Sequence, residues 1–89
     1  AEQMDLGGRL KETGTPERMA LQREIAQTIQ AALDELPDDL RTAIMLRELE
    51  GLTYEEIAQA MDCPIGTVRS RIFRAREAID VKLKPLMAP

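Results

Sequence analysis

The sequence contains no histidine and a single cysteine, Cys63. These shortages remove Ser-His-Asp and Cys-His catalysis, histidine metal centres and any disulfide within the chain. A reducing compartment is compatible with one cysteine. Aromatic residues are almost missing, with one Tyr (Tyr54), one Phe (Phe73) and no Trp. The core must therefore be aliphatic, built from Leu, Ile, Ala and Met. No apolar run approaches the roughly 20 residues of a membrane span, and no basic-then-apolar leader opens the chain. No membrane insertion is expected. There is no glycine-rich phosphate loop and no cluster of metal-ligand residues, so no enzyme, cofactor or metal site is expected. Positive charge is also short. Twelve Lys+Arg face 16 Asp+Glu, for a net charge of −4 and a pI of about 4.8. By that total the chain is a poor polyanion binder.

What is present favours helix: five Met, many Ala, Glu, Arg and Leu, and little β-branched content. With 89 residues the chain is one small domain at most, only marginally stabilised by burial. It starts at Ala1 rather than Met and ends at Pro89, and is expected to be a fragment of a longer product.

Residues 1–14 hold three glycines and no sustained period, and read as a flexible linker or tail. The domain is expected over 15–89. Thr15-Pro16-Glu17 is a helix start, with Thr as N-cap, Pro at the first position and acid in the first turn. Leu21, Ile25, Ile29, Ala32, Leu33 and Leu36 then recur at spacings of three and four, which predicts one apolar stripe on a first helix. Pro37-Asp38-Asp39 starts a second helix, expected to reach about Glu50. It is apolar on two sides, Leu40, Ala43 and Ile44 on one and Met45, Leu46 and Leu49 on the other, so one side is expected to meet a partner. Gly51 ends it. Thr53 and Glu56 form a capping box for a short third helix with Ile57, Ala58 and Met61 inside. The turn Asp62-Cys63-Pro64 stops it, and Asp62 stands where positive φ is often needed. A fourth helix carries the stripe Ile65, Val68, Ile72, Ala75, Ile79 and Leu83 and is expected to end near Lys84, ahead of Pro85. The fold class is thus all-α: four helices, the last two a helix-turn-helix with a long recognition helix.

The charge on the last helix gives that motif a use. Arg69, Arg71, Arg74 and Arg76 fall within eight residues. With the stripe inward, Ser70, Phe73, Arg74 and Glu77 point outward, flanked by Arg69 and Arg71. Arg pairs bidentately with guanine, Ser meets a base edge or phosphate, and Phe lies on a thymine methyl or sugar. Arg71 is expected at the phosphate backbone. Gly66 and Thr67 lie in the first turn, where free N–H groups and the helix dipole favour a phosphate. The phenol of Tyr54 can reach a phosphate or pack. Arg47 can reach one too, or pair with Glu48, Glu50 or Glu55. Cys63 reads as a turn residue.

Residues 36–79, LPDDLRTAIMLRELEGLTYEEIAQAMDCPIGTVRSRIFRAREAI, resemble region 4 of extracytoplasmic-function (ECF) sigma factors, especially the sigma-E type. LRELEGLTYEEIA followed by CPIGTVRSRIFRAREAID is far more specific than a generic helix-turn-helix. The helix at 15–36 matches only in general character. The resemblance implies a cytoplasmic domain that recognises the promoter −35 element as double-stranded DNA. It implies that Arg69, Ser70, Phe73 and Arg74 read bases and that Arg47, Tyr54, Thr67 and Arg76 lie near the phosphate backbone. It further implies docking on the β flap of RNA polymerase, with Met45, Leu46 and Leu49 as contacts, and control by an anti-sigma factor. The family's region 2 is absent from this sequence, so the chain alone is not expected to initiate transcription, and 1–14 is expected to be the end of the inter-region linker.

Two other readings stay open from the residues. One is the output domain of a response regulator, which has a similar four-helix shape. The other is a module that binds only polymerase or an anti-sigma factor. The charge is divided in a way that bears on both. Residues 1–63 sum to −8 and residues 64–89 to +4. The cationic end can face DNA while the acidic remainder is repelled. Weak DNA affinity of the isolated domain is expected.

Overall fold

A computed structural model of the chain describes residues 15–87, and the expected linker at 1–14 lies outside them. The described residues form helices α1 (Pro16–Glu35), α2 (Asp38–Glu48), α3 (Tyr54–Met61) and α4 (Ile65–Met87), with no strand among them. The all-α reading holds.

Local chemistry sets the boundaries. Thr15 is extended and its hydroxyl accepts from the Arg18 N–H at 3.3 Å, with Pro16 opening α1. Leu36 is extended at φ −68, ψ 146, as the residue before a proline prefers. Arg41 ties this corner by donating to the Leu36 carbonyl at 3.0 Å and pairing with Asp38. Pro37 serves as the N-cap of α2 without a side-chain bond. The helix ends at Glu48, two residues before the expected end. Gly51, at φ +71, then lets the Leu52 N–H turn back to the Leu46 carbonyl at 3.1 Å. That closure consumes the last turn assigned to the helix.

The capping box of α3 forms in both directions. The Glu56 N–H donates to Thr53 Oγ1 at 3.1 Å, and the Thr53 N–H donates to Glu56 Oε1 at 2.8 Å. Asp62 takes the left-handed conformation at φ 54, ψ 55, as its place in the turn predicts. The end of α4 corrects the sequence reading. The helix does not stop before Pro85 but carries it inside and reaches Met87. Proline's fixed φ is compatible with a helix, although Pro85 has no N–H to offer the Val81 carbonyl.

The core has two connected parts. Ala43, Ile57, Val68 and Ile72 are buried together, with Leu46, Leu52, Tyr54, Ala58, Met61 and Cys63 packed around them. Leu36, Ile44 and Ala75 form the second part, flanked by Leu33, Leu40 and Ile79. Every buried residue among those described is apolar. Alanines at 43 and 75 have no exposed surface, which lets α2 and α4 approach closely. The stripe of α1 is covered only in part. Ala32 and Leu36 are buried, whereas Leu21 stays 43% exposed. At 20 residues, or about 30 Å, α1 outreaches the 11-residue α2. Lys82 and Glu35 are paired at 3.5 Å between α4 and α1.

Candidate nucleic-acid interface

The interface is built on α4. Val68, Ile72 and Ala75 are buried on one side of it, and this fixes which side faces out. Arg69, Ser70, Phe73, Arg74 and Glu77 are all exposed. Phe73 shows 63% of its surface, while its neighbour Ile72 shows 1%. A phenylalanine that contributes nothing to the core, beside four polar residues of the same face, is available to an external surface.

The first turn of α4 is open. Gly66 is exposed, and a Cβ added there would meet nothing within 4 Å. The fold itself does not require glycine at this position. The N–H groups of Thr67 and Val68 both turn back to the Pro64 carbonyl, at 3.0 and 3.3 Å. An anion at this helix end would therefore meet the earlier N–H groups, those of Ile65 and Gly66.

A second cationic group lies where α2, α3 and α4 meet. Arg47 is half-buried, donates to the Leu52 carbonyl at 2.8 Å, and lies over the Tyr54 ring at 5.1 Å. It thus makes none of the acidic pairings open to it in the sequence. Tyr54 is half-buried and packs on the core. Arg76 donates to Glu48 Oε1 at 2.8 Å. This hydrogen bond, opposed by some desolvation and aided by the charge of Glu48 and by Tyr54, raises the guanidinium pKa above its already high value. Arg47, Thr53, Tyr54, Glu55, Ile65 and Arg69 line one shallow polar depression. The structure therefore brings Arg47 and Tyr54 beside Arg69 of the outward face.

Arg71 is placed differently. Its Nε lies 3.5 Å from Asp39 Oδ2, its terminal nitrogen donates to Cys63 Sγ at 3.7 Å, and its side chain is 25% exposed. It ties α4 to the first turn of α2 and to the turn before α4. The sequence marks Glu48 only as a partner open to Arg47 and Asp39 only as part of a helix start. Their partners are 28 and 32 positions away, so only the packing of α2 on α4 reveals them.

The apolar side of α2 is separate in character. Met45 is 38% and Leu49 70% exposed. Leu46 divides its surface, packing on the first core cluster and lining a groove with Thr42, Met45, Leu49, Glu50 and Leu52. A second depression is lined by Ile29, Leu33, Ile44, Met45, Leu49 and Ile79, with Glu48 at its edge. Among the described residues there is no cluster of metal ligands and no helix long and apolar enough to cross a membrane.

A short helix, a tight turn and a long helix with an outward arginine face define a helix-turn-helix domain. Residues 22–79 match the family model "Sigma-70, region 4", and the chain belongs to that family. Its curated relatives narrow the type. The chain is 60% identical over 87 residues to the ECF RNA polymerase sigma-E factors of Escherichia coli K12 and Salmonella typhimurium LT2. It is 56% identical over 87 residues to that of Haemophilus influenzae. In each case 98% of this chain is covered, and it spans 46% of the relative's length. The family match decides against the response-regulator reading.

Proposed function

We propose that this domain recognises the −35 element of promoters served by an ECF sigma factor of the sigma-E type, and so directs RNA polymerase to them. The observation that carries this reading is the row Arg69, Ser70, Phe73 and Arg74, exposed together on one face of α4. This face enters the major groove, where arginine meets guanine, serine a base edge and phenylalanine a thymine methyl or sugar. Arg47, Tyr54, Thr67, Gly66 and Arg76 hold the phosphate backbone and set the register. Arg71, turned toward Asp39 and Cys63, sets the angle of α4 instead of taking a phosphate. The domain is not an enzyme.

The apolar surface of α2 serves protein partners. Met45, Leu46 and Leu49 dock on the polymerase β flap or are covered by an anti-sigma factor. Two exposed large apolar side chains beside a groove are a surface a partner can bury. These activities place the domain in the cytoplasm.

The test is Arg74→Ala against a set of duplexes with single base-pair changes. The expected loss is about 1–3 kcal/mol on the preferred duplex, with relaxed preference at one position. An equal loss on every duplex would make Arg74 a phosphate contact.

A further inference from the structure

Helix α2 ends in Glu48. A carboxylate there lies against the negative end of the helix dipole, an unfavourable place for an acid. A cation on α4 compensates it, because Arg76 donates to Glu48 Oε1 at 2.8 Å. The two side chains are 49% and 55% exposed, so water weakens the pair and lets it open readily. Tyr54 also acts on Arg76, and Arg47 lies over the Tyr54 ring. Three residues assigned above to the phosphate backbone thus gather at one place, and one of them, Arg76, is bonded to the carboxylate of Glu48.

We propose that Glu48 is an internal competitor for the DNA phosphate that Arg76 takes, and so restrains the affinity of the domain for promoter DNA. The inference rests on the DNA-binding reading above. A carboxylate and a phosphate offer a guanidinium the same thing, anionic oxygen acceptors. In the free domain Glu48 already fills that role. A phosphate approaching Arg76 meets a cation that is partly neutralised and a carboxylate of its own sign one hydrogen bond away. It must displace Glu48 or crowd against it. Because the pair is half exposed, the restraint amounts to a few-fold in affinity. Phosphate contacts carry no sequence information, so specific and non-specific binding are restrained alike.

Glu48→Gln tests this, since it keeps the shape and the acceptor and removes the charge. The probe is a duplex selected from a randomised pool, bound at low salt by the 89-residue chain, with a scrambled duplex beside it. The variant should bind both about two- to five-fold more tightly. In an Arg76→Gln background the gain should disappear. Weaker binding by Glu48→Gln would show that Glu48 positions Arg76 for DNA, and would overturn the proposal. An equal gain in both backgrounds would replace competition with diffuse repulsion, and no gain would remove the competition outright. If neither the parent chain nor the variant binds any duplex at low salt, the DNA-binding reading fails and takes this one with it. Duplex binding without a gain removes the competitor alone.

Discussion

Adjacent residues on α4 have opposite fates. Ile72 is buried at 1% exposure, which contributes about 1.5–3 kcal/mol relative to leaving it in water. Phe73 has nearly the largest apolar side chain in the sequence and contributes no buried core residue at all. Stability does not explain its presence, whereas the DNA contact proposed above would. Gly66 poses the same question for the backbone. No atom of the chain crowds it, so Gly66→Ala should raise helix stability by up to about 1 kcal/mol. If the backbone there approaches a phosphate, the same change should lower DNA affinity. Thermal unfolding and duplex titration measure the two effects separately. A stabilised variant with unchanged affinity would show that no close approach occurs at Gly66.

The helices differ in how far the sequence announces them. Starts are legible because their signals are local: Thr15 before Pro16, Thr53 three residues before Glu56. The stops at Gly51 and Asp62 are legible for the same reason, since each position needs a residue that accepts positive φ. Pro85 misleads, because a proline signals a break, yet its fixed φ is itself helical and the helix runs on to Met87. The outward face of α4 follows from its apolar stripe, so Arg69, Ser70, Phe73 and Arg74 are found from period alone. What the period cannot show is where a long side chain turns. Arg71 flanks that face on a helical wheel, yet its guanidinium reaches inward to Asp39 and Cys63, residues on other elements. This placement gives a prediction about α4 as a unit. Arg71→Gln should lower stability by at most about 1 kcal/mol, as for other partly exposed pairs. It should leave the slope of log affinity against log salt as in the parent chain. Arg47→Gln should flatten that slope by about one. A flattened slope in Arg71→Gln would make Arg71 a phosphate contact.

At the scale of the molecule, charge and apolar surface divide the work. The total of −4 averages an acidic stretch, residues 1–63, with a basic one, residues 64–89. The cations that face outward belong mostly to α4, while α2 and α3 supply acids such as Asp39, Glu48 and Glu55. On the function proposed above, such a domain should bind DNA weakly alone and gain from being held near it by partners. The exposed Leu49 is the part of the partner surface that the core needs least. Leu49→Asp should therefore keep the helical signal and weaken capture by polymerase or an anti-sigma factor about tenfold or more. Loss of helical signal would place Leu49 in the core. The proposed function requires that this acidic chain read bases through one basic helix face. Its most direct measurement is selection of duplexes from a randomised pool by the chain at low salt, followed by sequencing. One short sequence should be enriched, and its preference should weaken in Arg74→Ala. Recovery of an unenriched pool, or of no DNA at all, would contradict the proposed function.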